Sequence, residues 1–506
     1  MTAPIALRQV VAGLCDEVGP RLTSDAARLQ VRRVRQRLDE PLRVAIAGRL
    51  KAGKSTLVNA LIGRRVAPTE VGECTRVVTQ FRYGTSDRID VVRRDGSRLS
   101  LPLDEAGMIP QRLGVPAAEV AFVDVALTSA NLRDLTVVDT PGLSSTNASV
   151  SAGARRFLFQ DNTAPIDDGL DADSAGAISG AEAIVYVFTQ AVRDDDVAAL
   201  EAFRSVSARL ASNPINSVGL FNKADKLVEA PGDPWPVAER LAGDQAQTLR
   251  RVVSGVVPVV GLLAETTEAG RLTAADCEAL RALAGLSVAE RTLLLASVDL
   301  FVSRPAPVSG EHRQRLLTLL DLYGIGFSLA QLAARPTLGS GDLVRMLYQV
   351  SGFPRLRHTL DHAFRWRTDA IKAGWALSTL EKAAGHADSI PDREVLRDAI
   401  ERVLQRPEYH RLRLLEAAQQ VSGGAVELPA PMEQELTRLA LSHDPQWILS
   451  LPTAGADELR KAALDAAARW RVFAVAGASP AQSRVALVVH RGFHLLSQRL
   501  REGVAS

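Results

Sequence analysis

Residues 42–63 read LRVAIAGRLKAGKSTLVNALIG, and a change of period inside that stretch decides the fold. LRVAIAG (42–48) is a short apolar run of the kind that forms a strand buried on both faces. STLVNALIG (55–63) then spaces its apolar residues for a helix. Between the two, GRLKAGKS (48–55) satisfies G-x-x-x-x-G-K-[ST]. Gly48 and Gly53 let the backbone curl, so the N–H groups of Leu50, Ala52, Gly53, Lys54, Ser55 and Thr56 turn toward phosphates. Lys54 supplies a point charge near the β- and γ-oxygens, and the Ser55 hydroxyl suits Mg²⁺. A plain glycine turn is the bland alternative, and the strand before it and the helix after it argue against that.

Outward from this loop, further apolar runs read as strands: VVTQFRYG (77–84), RIDVVRR (88–94), LTVVDTPG (135–142), AIVYVFTQ (183–190), INSVGLFNKAD (215–225) and GVVPVVGLLA (255–264). Buried strands alternating with helical stretches predict an α/β domain with a mainly parallel, doubly wound sheet ending near residue 265. Ahead of it, Leu7, Val10, Val11, Leu14 and Val18, then Leu22, Leu29, Val31, Val34 and Leu38, trace two amphipathic helices broken at Gly19-Pro20.

Two more motifs follow the phosphate loop in chain order. DTPG (139–142) places Asp139 to hold Mg²⁺ through a water and the Gly142 N–H to meet a γ-phosphate. NKAD (222–225) selects the base. The Asp225 carboxylate can accept guanine N1–H and N2–H₂, a donor pair adenine lacks. The Lys223 stem can lie over the base, and Asn222 can tie this loop to the phosphate loop. Thr75, just ahead of a strand in ECTRVVTQ (73–80), is the candidate to close over Mg²⁺ and γ-phosphate, with Thr79 as the other choice. The weakly marked base loop after the last strand falls at Gly261 and Leu262. Together these motifs imply GTP/GDP binding with Mg²⁺.

Composition narrows the class. Across 506 residues, 46% are hydrophobic and 23% charged, as in ordinary folded domains. Sixty Lys and Arg against 58 Asp and Glu leave a formal +2, which argues against a dedicated nucleic-acid binder. Three scattered cysteines and eight unclustered histidines suggest neither a disulfide framework nor a zinc site, and fit a reducing cytosol. No signal peptide is legible, and the longest apolar runs are too short to span a bilayer. The Asp- and Ala-rich stretch 160–176 reads as a solvated loop.

Beyond about residue 270 the strand pattern stops. Pro354 opens a helical stripe through Leu356, Leu360, Phe364, Ile371, Leu377 and Leu380, which predicts one helix of about 45–50 Å. Amphipathic runs continue to a last helix from Pro480, so the second half is all-α.

The motif set resembles the dynamin superfamily of large GTPases, in particular the bacterial dynamin-like proteins: AGKS closing the phosphate loop, CTRVVT, DTPG and NKAD, over residues 42–265. The helical half matches by layout alone. The resemblance implies an order of N-terminal neck helices (1–40), a GTPase domain (41–270), neck helices (271–350), a helical trunk with a membrane tip (351–476) and a C-terminal neck helix (477–506). It also implies self-association, or pairing with a related dynamin-like GTPase, and remodelling of a phospholipid surface from the cytoplasmic face of the cell membrane. Dynamins place Gln and Ser at the third and fourth positions of the loop, where this chain has Leu50 and Lys51. That hydrolytic arrangement does not carry over. Lys51, or Arg49 as a finger in cis, is the candidate compensating cation, and a solvent-facing basic residue is the alternative.

Two segments suit a membrane tip: Trp447, Ile448 and Leu449 between helices, and Trp366, Arg367 and Lys372 with a composition fit for an anionic surface. Packing inside a bundle is the alternative for both. A translation-factor-like GTPase and a regulatory switch holding a protein partner are the competing functions. Near-neutral charge and the lack of an RNA-binding motif weigh against the first.

Overall fold

The computed structural model describes residues 6–49, 51–69, 77–140, 181–189, 216–228, 232–249, 252–361, 364, 368–387, 389–422, 424, 426–442 and 444–502. β1 (Leu42–Gly48) lies in the middle of a nine-stranded sheet ordered β4-β3-β5-β2-β6-β1-β7-β8-β9. The partners are β2 (Thr79–Tyr83), β3 (Arg88–Arg93), β4 (Arg98–Leu101), β5 (Val120–Leu127), β6 (Leu135–Asp139), β7 (Ala183–Phe188), β8 (Ser217–Asn222) and β9 (Val256–Val259). The five strands from β6 to β9 in that order are parallel. β2 runs antiparallel to β6, and β3 pairs antiparallel with both β5 and β4. The sequence reading anticipates the parallel core and passes over β4 and β5, because Asp124 interrupts the apolar run of β5. That carboxylate accepts from Arg82 on β2, so the charge is paired across neighbouring strands.

All seven residues of β1 are buried, as a strand covered on both faces requires. Alternate side chains serve different cores. Leu42, Val44 and Ile46 join the core that holds the N-terminal helices, whereas Ala45 and Ala47 pack with Phe188, Phe221 and Leu249 on the other face.

α1 (Leu7–Val18) and α2 (Asp25–Asp39) pair with α12 (Thr368–His386) and α13 (Ile390–Leu404). Two distant carboxylates hold this four-helix group together. Asp369 accepts the Leu7 and Arg8 N–H groups at the start of α1, both at 2.9 Å. Asp392 accepts from Thr23 N–H, Thr23 Oγ1 and Ser24 N–H at 2.7–2.9 Å. Burial works against its charge, and those bonds nevertheless hold Asp392 below the usual carboxylate range.

These four helices are bolted to the sheet domain by buried charge. Glu182, just before β7, accepts from Arg37 Nε at 3.2 Å, from Lys372 Nζ at 3.3 Å and from the Arg43 N–H at 2.9 Å. Lys372 Nζ also donates to the Arg37 carbonyl at 2.7 Å. Lys372 is 0% exposed, which corrects its assignment to a membrane surface: its ammonium faces a carboxylate where the four helices meet the sheet domain.

Within the sheet domain α3 (Lys54–Ile62) follows β1 and α4 (Trp235–Thr248) follows β8; after β9 come α5 (Gly261–Glu268), α6 (Ala274–Ala284), α7 (Val288–Leu295), α8 (Val298–Ser303), α9 (Gly310–Ala334), α10 (Ser340–Val350) and α11 (Phe353–Leu360). α6 and α7 each begin with a reciprocal capping box, Thr273 with Asp276 and Ser287 with Glu290. α9 is, among the described residues, the one helix long and apolar enough to cross a membrane by length and composition, which the sequence reading did not foresee. Half of that window is buried against neighbouring helices, and Asp321 interrupts the helix at φ 53°.

Along the predicted long helix, α11 is followed by Asp361 and Phe364 in π-helical geometry and then by α12, while 362–363 and 365–367 lie outside the described residues. The distal bundle comprises α14 (Pro407–Ser422), α15 (Ala430–Leu441), α16 (Pro445–Leu449), α17 (Ala456–Val475) and α18 (Pro480–Glu502), with its own core around Trp470. Where the sequence reading brings both chain ends into one neck, α18 instead packs on α17 and α14. Its stripe of Val485, Val489, Phe493 and Leu496 is consumed by Leu414, Leu436 and Trp470, whereas the stripe of α1 is consumed by α12.

Candidate nucleotide site

Gly48 ends β1 at φ 145°, and a Cβ there would stand 2.1 Å from the Val187 carbonyl oxygen, so only glycine fits. Gly53 caps α3 at φ 89°, where a Cβ would meet Asn222 Nδ2 at 2.3 Å. Between them Lys51 takes φ 63°, a left-handed conformation that a side chain resists. The loop thus curls by two glycines and one strained lysine.

Asn222, buried at the end of β8, holds three pieces together. Its Nδ2 donates to the Ala52 carbonyl at 2.8 Å, and its Oδ1 accepts the N–H groups of Lys223 at 2.8 Å and Gly261 at 3.0 Å. Lys223 Nζ adds a bond to the Lys51 carbonyl at 3.0 Å. Phosphate loop, NKAD and the segment after β9 therefore form one hydrogen-bonded unit. Gly261 and Leu262 open α5, where the sequence reading expected a loop, and the Gly261 N–H is already taken by Asn222.

Ser55 Oγ donates to Asp139 Oδ2 at 2.8 Å. Burial pushes the Asp139 carboxyl above its usual range, opposed by the Lys54 charge and the Ser55 bond. Its Oδ1 is buried with no hydrogen-bond partner among the described residues. An unsatisfied carboxylate oxygen beside a hydroxyl is the donor chemistry Mg²⁺ takes. No cluster of three His, Cys, Asp or Glu occurs among the described residues, so such an ion would also need water and phosphate ligands. Lys54 is buried and donates to the Arg49 carbonyl at 3.0 Å; burial lowers its pKa, with Asp139 opposing. Thr56 follows on the first turn of α3, Lys51 is exposed and Arg49 half-buried.

Asp225 sits in a short 3₁₀ turn with its side chain nearly buried. Burial pushes its carboxyl up, and Lys226 pulls it back. Such a carboxylate gains much from two donors on a base edge. Leu50, Thr75 and Gly142 lie outside the described residues, as do Trp366, Arg367 and the 160–176 stretch.

Sequence reasoning missed two supports. Asn59 on α3 donates to Glu265 at 2.7 Å and to the Ala67 carbonyl, while accepting the N–H groups of Val66 and Ala67. A polar residue inside the apolar STLVNALIG helix was the available signal. Asp321, in the middle of an apolar helix, reaches Lys226 at 2.7 Å, and the charge amid that run was likewise visible. Of the membrane candidates, Ile448 is 1% exposed and belongs to the distal core, which corrects its assignment to lipid; Leu449 is partly buried and Trp447 is exposed.

A mainly parallel sheet carrying a phosphate loop after β1, Asp139 at the end of the neighbouring β6 and NKAD after β8, one strand beyond β7, defines a GTPase, and residues 44–191 match the Dynamin family. The isoniazid-induced protein IniC of Mycobacterium tuberculosis is 35% identical over 358 residues, 70% of this chain and 69% of that protein. The bacterial dynamin-like protein of Nostoc punctiforme is 32% identical over 120 residues, 21% of this chain and 17% of that one. The isoniazid-induced protein IniA of M. tuberculosis is 36% identical over 121 residues, 22% of this chain and 19% of IniA. This chain belongs to the bacterial dynamin-like proteins, as a GTPase of the dynamin family.

Proposed function

We propose that this chain hydrolyses GTP with Mg²⁺ and couples hydrolysis and self-association to binding and remodelling a phospholipid surface, acting peripherally at the cytoplasmic face of the cell membrane. The observation that carries the nucleotide half is the Asn222 interlock, which makes base reading and phosphate cradling one rigid unit. In this reading Lys54 and the loop N–H groups hold the phosphates, and Asp225 reads guanine. Ser55, Thr75 and Asp139 hold Mg²⁺, which neutralises phosphate charge when bound. Lys51 or Arg49 compensates charge on the transferring phosphate.

What supports the membrane half is the turn between α17 and α18. Val475 is 79% and Val472 62% exposed there, beside exposed Arg471 and Arg484. Valines that gain nothing in water, flanked by arginines, fit an anionic interface. Trp447, at the other end of α17, is the remaining candidate from the sequence. GTP turnover and flotation with phosphatidylglycerol liposomes, across a protein dilution series, test both halves. Expected are turnover per chain that falls on dilution and flotation lost in a Val472→Asp/Val475→Asp variant that still turns over GTP. Turnover independent of concentration sinks self-association, and no flotation of an active parent sinks the membrane coupling.

A further inference from the structure

The base-reading carboxylate has a competitor beside it. Lys226 directly follows Asp225, and its Nζ stands 3.8 Å from Asp225 Oδ2 but 2.7 Å from Asp321 Oδ2. The shorter distance is that of a charge-assisted hydrogen bond, and the longer is not. Lys226 is more than half exposed, so its ammonium can swing between the two carboxylates, whereas Asp225 is nearly buried. In water-poor surroundings an ammonium bonded directly to Asp225 would occupy the acceptor that guanine N1–H and N2–H₂ need.

Asp321 reaches this position at a conformational cost. It takes φ 53° and ψ 177° inside α9, a region glycine favours and side chains resist. Its Oδ1 accepts the Leu322 N–H at 2.7 Å, which leaves Oδ2 for Lys226. Two residues on, the Tyr323 hydroxyl accepts from Trp235 Nε1 at 3.0 Å and fixes this part of α9 against α4. A strained residue on a helix outside the three nucleotide motifs therefore presents a carboxylate to the cation that directly follows the guanine acceptor.

We propose that Asp321 is a decoy counter-ion: by holding Lys226 it keeps that ammonium off Asp225 and leaves the Asp225 carboxylate open to guanine. Asp321 is thus a positioning residue for base selectivity, acting through Lys226, and this rests on the reading of Asp225 as the guanine acceptor. Removing Asp321 frees Lys226 to pair with Asp225, and removing Lys226 as well removes the competitor.

The test is calorimetric titration of the full chain with GDP, and with ADP in parallel, for the parent, Asp321→Asn, Lys226→Met and the double variant. Asp321→Asn weakens GDP about fivefold, near the top of the range for a partly exposed ion pair. Lys226→Met stays within about twofold of the parent, and the double variant returns to that level, within the usual scatter of additive changes. Asp321→Gly suits the positive φ and shows the same loss and the same rescue, which keeps the test decisive if Asp321→Asn folds poorly. Parental GDP affinity in Asp321→Asn, or a double variant as weak as the single one, overturns the decoy. A parent that binds ADP as tightly as GDP overturns the reading of Asp225 beneath it.

Discussion

Removing the Glu182 carboxylate should destabilise the protein more than removing the Lys372 ammonium that faces it. Glu182 has a fully buried side chain and is shared by Arg37, Lys372 and the Arg43 N–H. Its loss leaves the Lys372 ammonium buried with the Arg37 carbonyl and the weaker field of Glu40. Stranding a buried charge in this way costs about 3–5 kcal/mol. Lys372→Met is different, because Glu182 keeps Arg37 at 3.2 Å, and Arg37 keeps Glu40 at 3.0 Å. It removes one cation from a cluster of three cations and two carboxylates and one of the bonds to the Arg37 carbonyl, which keeps the Glu40 N–H at 3.3 Å, at about 1–2 kcal/mol. Glu182→Met with Lys372→Met should then cost less than the sum of the singles, by about 2 kcal/mol. Urea denaturation midpoints and melting temperatures of the four proteins measure this, with the Glu182→Met melting point lower by about 3–5 °C. A Glu182→Met variant no less stable than Lys372→Met, or strictly additive costs, would refute the reasoning.

Asn222→Ala strands the Ala52 carbonyl and the Gly261 N–H, each worth about 1–3 kcal/mol when left unpaired, so GDP affinity should fall about 30-fold or more in calorimetry. Asp225→Asn should weaken GDP by about 100-fold, having lost a charged acceptor for two donors. The same change should raise the melting temperature of the nucleotide-free protein. The folded pKa of Asp225 is raised, so its ionised form opposes folding once pH rises through that pKa, and the opposition vanishes below the unfolded value. The stabilising effect of Asp225→Asn should therefore be present near neutral pH and fade as pH falls toward 4, as melting curves across pH would reveal. Gly48→Ala should cost about 2–3 kcal/mol, because its Cβ would press on the Val187 carbonyl at 2.1 Å; unchanged thermal stability would count against the close approach described here.

Local chemistry was legible and distant pairing was not. The curl of GRLKAGKS is written in residues adjacent in sequence, as is the DT turn after β6, so motif spacing places them. The partner of Asn222 in the phosphate loop also followed from motif order. Lys372, by contrast, carries the same residue type whether it faces lipid or Glu182, and those two are 190 positions apart. Composition around it therefore pointed to a membrane, and packing put it at the junction. Ile448 misled in the same way, since an apolar residue between helices can face a core or a bilayer. The split of Lys226 between Asp225 and Asp321 depends on a backbone distortion in α9 that no residue preference announces.

The clasp between Asp369 and the first turn of α1 joins positions 362 residues apart. During synthesis α1 and α2 therefore leave the ribosome long before the helices that cover them. At about 5–20 residues per second, their apolar stripes wait roughly 20–70 s for α12 and α13 to arrive. The sheet domain is complete in the meantime, yet its lower edge lacks Lys372 and the cap on α1. Closure of this four-helix group is thus a late event, after the sheet domain, and a nascent chain stalled before residue 368 carries a pair of sticky helices without α12 and α13, which a holding chaperone, or a second nascent copy, is free to seize.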